Sequence, residues 1–232
     1  MPGDVTGYKL LAQLYTKDRR PDQAIIPLKQ AVEAGKADAA IYDMLGHAYN
    51  ALGQQAAAAA AFTKTAELAP GNVAVETALA GSLVASGQPD KAIGVLEQAL
   101  QKNPANPGVQ EAAVAAALAT GDIAKAESVL ATVKKAAGET PVTQNLTATL
   151  QLARLDAAGA EATLDALVTA SPDYLQATQT LASAYMLQGQ SQKTEPLLPA
   201  TLDPSPATPP PPPLRIQAAC RSHPPPEHTA VL

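Results

Sequence analysis

Apolar and polar positions follow a helical period most clearly between Ala39 and Leu52. The apolar side chains there lie three or four residues apart, at Ile41, Leu45, Ala48, Tyr49 and Leu52. This spacing predicts an amphipathic helix, and Gly53 predicts its end, because glycine adopts the left-handed cap conformation at little cost. A second helix is predicted up to about Ala69, where Pro70 stops it. The stretch therefore predicts a helix–turn–helix unit.

The same unit returns every 34 residues along the chain. Four independent series of residues share this period: Gly53, Gly87, Gly121 and Gly189; Pro70, Pro104, Pro172 and Pro206; Ala24, Ala58, Ala92, Ala126 and Ala160; Leu28, Phe62, Leu96, Leu130, Leu164 and Leu198. Six units follow, starting near residues 5, 39, 73, 107, 141 and 175. We predict an all-α chain with twelve helices or slightly fewer between residues 5 and 200. Asn72, Asn106 and Asp173 are predicted to cap three of them.

Composition favours packed helices rather than a sheet. Of the 232 residues, 47% are hydrophobic and only 3% are aromatic, with no Trp and one Phe. A core of small side chains suits closely packed helices. The net charge of −5 argues against a nucleic-acid surface, which needs a dense basic patch.

The N-terminal segment and the apolar runs bear on where in the cell the protein is expected. No basic segment followed by an apolar run opens the sequence, so no secretory signal is expected. The longest apolar runs, such as Ala112 to Ala119, are too short for a transmembrane segment. We expect a cytoplasmic protein as the chain stands, and a periplasmic one if the chain is a fragment of a longer exported protein. The single cysteine, Cys220, leaves the redox compartment open.

A proline-rich region, residues 201–232, follows the predicted repeat region of residues 1–200. Twelve of the 21 prolines lie in the last 37 residues, and the run Pro209 to Pro213 favours polyproline II over helix. Three interpretations stay open. The region is a disordered tail, a ligand for a proline-recognising domain that reads Pro210 to Arg215, or an out-of-frame or truncated end.

The repeat resembles the tetratricopeptide repeat (TPR) family, whose unit is a helix–turn–helix of 34 residues. The second unit carries the resemblance best, with Tyr42, Leu45, Gly46, Tyr49, Ala58, Phe62 and Pro70. The third unit adds Leu79, Ala80, Ala92, Leu96, Ala99 and Pro104, and the first adds Tyr8, Leu11, Ala12, Tyr15, Ala24, Leu28 and Ala31. The resemblance covers residues 5 to about 200 and implies a right-handed α-solenoid with a concave face.

The resemblance also implies a working surface, because the first helix of each TPR unit lines the concave side. It places these side chains there: Lys9, Gln13, Lys17, Asp43, Met44, His47, Asn50, Thr77, Glu111, Asn145, Thr149, Gln176, Gln179 and Ser183. Asp43, His47 and Asn50 are predicted to have no packing role and to form one polar patch with Thr77 between apolar walls.

A heat-shock carboxylate clamp, which co-chaperone TPR domains use to bind a terminal carboxylate, is not expected on this surface. Lys9 matches the first lysine of that clamp. Gln13, Met44, Ala74 and Ala78, however, stand where the clamp has Asn, Lys or Arg. The resemblance therefore implies a concave binding face without this particular ligand set.

Candidate residues for catalysis or metal binding are few. Cys220, His223 and His228 are ligand types, but three ligands in a proline-rich segment lack a held geometry, so no metal site is expected. His47 and Asp43 share a helix face, but a catalytic histidine needs a positioned partner, so a contact with a binding partner is the favoured interpretation. The glycines are isolated by helical stretches and form no phosphate loop. We therefore expect no cofactor and no enzymatic activity.

The sequence thus favours a non-catalytic scaffold that binds a protein or peptide segment along its concave face. We expect no nucleic-acid partner. The Ala-rich units are similar to bacterial TPR proteins of envelope or exopolysaccharide assembly of the PEP-CTERM type. The alternative is a TPR fragment of a larger enzyme or regulator, such as a glycosyltransferase. The oligomeric state is left open.

Overall fold

Eleven α-helices follow one another through the part of the chain that the computed structural model describes, residues 5–194 and 197. They are α1 (Val5–Lys17), α2 (Pro21–Glu33), α3 (Ala39–Ala51), α4 (Gln55–Leu68), α5 (Val73–Ala85), α6 (Pro89–Lys102), α7 (Pro107–Leu118), α8 (Ile123–Ala137), α9 (Pro141–Ala153), α10 (Ala157–Ala170) and α11 (Leu175–Leu187). A 3₁₀ turn, Ser191–Lys193, follows, and these residues contain no β-strand. The predicted all-α fold is confirmed for these residues, which show five helix pairs and the first helix, α11, of the sixth unit.

Short polar side chains and prolines start most of the helices. Asn106 accepts a hydrogen bond from the Val109 amide at 3.2 Å, and Asn72 accepts one from Ala74 at 3.1 Å, so both predicted caps are confirmed. The prediction for Asp173 was wrong. The helix starts one residue later than expected, which puts Tyr174 at the cap position without a side-chain hydrogen bond.

A residue with positive φ ends the first helix of every unit. Gly53, Gly87, Gly121 and Gly189 have φ between 71° and 78°. Leu155 holds the same place in the fifth unit at φ 64°, and Arg19 in the first at φ 57°. The left-handed region costs an L-residue roughly 1–2 kcal/mol, so Leu155 and Arg19 do not adopt it by local preference. The packing of the two helices of the unit therefore imposes this turn where the sequence lacks glycine.

The helices stack in chain order, each against its neighbours in sequence. We call α1, α3, α5, α7, α9 and α11 the first helices, and α2, α4, α6, α8 and α10 the second helices. From α5 onward, successive first helices also pack on one another, whereas contact between the second helices α6 and α8 is slight. Elements on the inner side of a curved stack lie closer together, so the first helices form that side, as the resemblance implied.

Three buried clusters form the core, and alanine supplies much of each. The two helices of unit 2 approach closely, since a Cβ built on Gly46 would lie 2.5 Å from the fully buried Phe62 ring. Ala58 and Ala92, from the periodic series, are also fully buried. Small residues at these places let each helix pair close, and large ones fill the remaining space.

Several predictions fall on residues outside the described part. These are the proline-rich region, the Pro210–Arg215 motif and the residues Cys220, His223 and His228. Within the described part, none of the helices has both the length and the apolar character needed to cross a membrane.

Candidate functional site

A pocket of about 410 Å³ opens between the first helices α1 and α3. Gln13, Thr16, Lys17, Met44 and His47 line it. The pocket exists because α1 and α3 contact each other sparsely, unlike the first helices from α5 onward. The structure thus brings together four of the residues that the sequence placed on the concave face, and adds Thr16.

His47 stands between a polar and an aromatic neighbour. Its Nε2 lies 3.7 Å from Oδ1 of Asp43, one helical turn earlier. Its ring meets the Phe62 ring edge-on, with centroids 5.1 Å apart and planes at 80°. The expectation that His47 has no packing role was therefore wrong, because the missing side chain at Gly46 leaves Phe62 open to a ring on the groove side.

Lys9 forms an ion pair within the structure, so its ammonium group already has a partner. Its Nζ lies 2.6 Å from Oδ2 of Asp38, the residue that caps α3 by accepting from the Ile41 amide at 3.0 Å. The hydrogen bond from Lys9 is the main cause that lowers the pKa of the Asp38 carboxyl. Lys9 therefore ties α1 to the start of α3.

The chemistry of the pocket is that of a recognition surface. The Lys17 ammonium has no ion-pair partner among the described residues, and the side chains of Gln13 and His47 are exposed. Met44 adds a flexible apolar side chain. The described residues contain no group of three His, Cys, Asp or Glu side chains able to hold a metal ion.

The remaining predicted residues lie on α3 and on the later first helices. Asn50 and Gln179 are exposed, and Glu111 is half-buried, while Asn145 is buried at 6% exposure. Three predicted hydroxyls, those of Thr77, Thr149 and Ser183, donate to carbonyls of their own helices at 2.9–3.0 Å. Their protons are therefore already used, which leaves amide and charged groups as the available donors.

Sequence reasoning missed one pocket residue, Thr16, and misassigned the start of one helix. Thr16 lines the pocket, although its hydroxyl donates to the Ala12 carbonyl. Tyr174 stands at the start of α11, where the equivalent residues of earlier units are Asp38, Asn72, Asn106 and Thr140. A tyrosine in a series of short capping residues was the available signal, and the mistaken cap at Asp173 concealed it.

A smaller hollow of about 290 Å³ lies on the second helices, between α6 and α8. Glu97, Leu100, Gln101, Thr132 and Ala136 line it. It lies on the helices opposite to the predicted working surface. Its exposed residues Glu97 and Thr132 therefore provide matched positions for control substitutions.

Two family models, both described as tetratricopeptide repeat, match residues 39–72 and 83–150. The chain therefore contains tetratricopeptide repeats, and its fold is one that supports protein–protein interaction. A comparison with curated protein sequences finds no significant match.

Solved structures share this fold. A tetratricopeptide repeat protein from Parabacteroides merdae is 16% identical, with 83% of this chain and 77% of that chain covered and a TM-score of 0.62. PilW, a type IV pilus biogenesis factor, is 14% identical with coverages of 83% and 89% and a TM-score of 0.57. YrrB, a TPR protein with an unusual peptide-binding site, is 20% identical with coverages of 76% and 91% and a TM-score of 0.55. At these identities the likeness shows the fold alone.

Proposed function

We propose that this chain is a non-catalytic scaffold that binds a partner segment in the α1–α3 pocket and along the adjoining first helices. One observation carries the proposal. The pocket presents Gln13, Lys17 and His47, whose polar groups are largely exposed, beside the apolar side chain of Met44. A segment bound there would gain hydrogen bonds and apolar burial at once.

The partner is proposed to be a protein or peptide segment rather than a small molecule or nucleic acid. The pocket opens to solvent between two helices, and YrrB, which shares the fold, is a TPR protein with an unusual peptide-binding site. The described residues of unit 1 (5–38) carry six Lys and Arg against four Asp and Glu, and those at 39–194 carry eight against thirteen. A balance of this kind is far from the dense basic surface that nucleic acid requires.

A role in assembly at the bacterial envelope is the narrower part of the proposal. PilW, a biogenesis factor for type IV pili, is one protein of this fold with such a role. Exopolysaccharide assembly belongs to the same class of process. The compartment is part of the proposal: the periplasm if the protein is exported, and the cytoplasm if it is not. Cell fractionation with an antibody to the chain separates these two.

The groove assignment is tested by selecting random displayed peptides on the full chain and measuring their affinities for variants. The double variant His47→Ala, Asn50→Ala should lose about 1–3 kcal/mol of binding, or roughly 5- to 150-fold in Kd. The matched control is Glu97→Ala, Thr132→Ala on the second helices, which should bind as wild type does. Equal affinity of wild type and the groove variant would overturn the assignment.

A further inference from the structure

The outward face of α1 is exposed, whereas the matching face of every later first helix is buried. This face includes the third and tenth positions of the unit, which lie two helical turns apart. In the later units these positions hold side chains exposed by 5% or less: Ile41, Val75, Val109, Thr143 and Ala177 at the third, and Ala48, Ser82, Ala116, Leu150 and Ala184 at the tenth. In unit 1 they hold Gly7, which is exposed, and Leu14, which is 54% exposed. Together with the exposed Leu10 and Leu11, these two residues form what we call the outer face of α1.

The stacking of the repeat shows what covers the matching face in later units. Each later first helix packs on the second helix of the preceding unit, and Ile41, Leu45 and Ala48 of α3 share one buried cluster with residues of α2. Among the described residues, α1 is the one first helix that has no second helix before it. The connection between α2 and α3, residues 34–38, is short, so the covering helix runs antiparallel to the helix that it covers.

The outer face of α1 has its own distribution of side-chain size. At the third position Gly7 replaces the larger residues of the later units, and beyond its chain neighbours and helix backbone no described atom lies within 4 Å of the place of a Cβ. At the tenth position Leu14 replaces Ala or Ser in four of the five later units. An antiparallel helix that fits this face therefore has a small residue opposite Leu14 and, two turns later, a large one opposite Gly7.

Charge adds a second requirement, because the turn that ends α1 is basic. Residues 17–20 are Lys, Asp, Arg and Arg, and the three cations form no ion pair among the described residues. An antiparallel helix on the outer face begins beside this turn. The N-terminus of a helix itself favours acidic side chains, so both charges and dipole favour acidic residues near the start of the occupant.

We propose that the outer face of α1 docks an amphipathic helix of a partner protein, which stacks there as an additional second helix. That helix has a small residue, a leucine and a further large apolar residue at i, i+4 and i+7, with acidic residues near its start. Ala160, Leu164 and Leu167 of α10 have this spacing and are buried in the stack. The outer face is separate from the α1–α3 pocket, so the inference goes beyond the proposed function.

A second copy of this chain is the less suitable occupant. Its second helices already pack between two first helices each, and α1 could therefore meet only the α1 of the other copy. A helix of 13 residues is about 20 Å long, and one face of it falls well short of the roughly 800 Å² per partner that a standard interface buries. A single docked helix needs only one such face.

The test uses methyl NMR of the full leucine-labelled chain, titrated with a capped synthetic peptide of residues 156–170. This peptide contains α10, keeps the Asp156 cap at its start, and carries three acidic and no basic residues. It should shift the methyl signals of Leu10, Leu11 and Leu14. A peptide of the same composition with Ala160→Leu and Leu167→Ala should bind about five-fold more weakly or worse, because a leucine against Leu14 overpacks the contact.

Two variants of the chain test the face itself. Leu14→Gln should weaken the binding of the 156–170 peptide about ten-fold, because it removes the central apolar contact. Gly7→Val, which fills the hollow with the residue found in units 3 and 4, should weaken it by a smaller factor. Leu68→Gln is the matched control, since Leu68 is 55% exposed on α4, and it should bind as wild type does.

The proposal is overturned if the peptide shifts signals elsewhere than α1, if both peptides bind equally, or if Leu14→Gln binds as wild type does. Analytical ultracentrifugation of the chain alone covers the other occupant. A monomer is expected, and a dimer that Leu14→Gln dissociates would assign the face to a second copy and overturn the partner helix. None of these results affects the proposed function, which is tested by the His47 and Asn50 substitutions in the pocket.

Discussion

The first helices differ at the two ends of the array, although they occupy equivalent places in one repeat. At the twelfth position of the unit, α1 and α3 present the polar residues Thr16 and Asn50, while α5, α7 and α9 present Val84, Leu118 and Leu152. At the N-terminal end α1 and α3 stand apart and form a pocket. From α5 onward the first helices pack on one another.

Side-chain size explains the difference in spacing. α7 has five alanines among its twelve residues and no aromatic side chain, so its neighbours α5 and α9 approach closely, whereas α3 carries Tyr42, Met44 and Tyr49. The distance between packed helices is set by the side chains at their contact. One repeat can therefore give either an open polar pocket or a closed apolar surface, through positions that the helix–turn–helix unit itself does not constrain.

The largest expected effect is on the packing of unit 2, at the N-terminal end of the array. Phe62→Ala removes a fully buried ring that packs over Gly46 and carries the edge contact of His47. We expect a loss of about 3–5 kcal/mol in the free energy of unfolding, measured by denaturant titration. Leu68→Ala, at a residue 55% exposed on the same helix, is the control and should change little. A Phe62→Ala variant as stable as this control would contradict the packing at Gly46.

Close packing in unit 3 is tested by adding volume. Ala92 on α6 is fully buried, so Ala92→Leu should cost about 1–3 kcal/mol through overpacking, seen as a lower Tm. Ala60→Leu, at an exposed position of α4, should melt close to wild type. If Ala92→Leu also melted like wild type, the tight helix contact inferred for that position would be wrong.

A smaller effect of opposite sign is expected at the turns that lack glycine. Leu155 is 76% exposed and has φ 64°, so Leu155→Gly removes strain while losing little burial. A gain of about 0.5–1 kcal/mol in unfolding free energy is expected. Ala153→Gly, two residues earlier at the end of α9, should instead destabilise the protein. A loss of stability in Leu155→Gly would show that the side chain has a packing role.

The smallest effect concerns the Lys9–Asp38 pair, which joins α1 to the start of α3. In the folded chain the pKa of Asp38 lies below its usual 3.8 because of Lys9. The pair therefore stabilises the fold above that pH and stops doing so as the pH falls through the lowered value. Lys9→Gln should cost about 0.5 kcal/mol or less at neutral pH, because both groups are partly exposed. The difference from wild type should vanish in acid, and a constant difference across this range would exclude the pair as its cause.

The helices and their period were predictable because they rest on local patterns. Gly53, Pro70 and the caps at Asn72 and Asn106 act within a few residues of their own positions, so the sequence displays their effect directly. Asp173 does not cap α11 because the helix starts one residue later than the sequence suggested. Local sequence does not fix the start of a helix to a single residue.

The site was less predictable because it depends on distances between units. The contact of His47 with Phe62 joins the two helices of one unit. It follows from the absence of a side chain at Gly46. The α1–α3 pocket likewise depends on the distance between the first helices of two units. Periodicity assigns such residues to a face of a helix, but it does not give the spacing of the helices that decides which residues meet.

The central claim, that a partner segment lies along the first helices, is tested most directly by site-specific photocrosslinking. A photoreactive amino acid would replace Asn50 or Gln179 on the first helices, or Glu97 or Thr132 on the second helices, all of them exposed positions. A peptide selected on the wild-type chain would then be irradiated with each variant. The account predicts crosslinks at position 50, with or without position 179, and none at 97 or 132. Crosslinking mainly at 97 or 132 would contradict it.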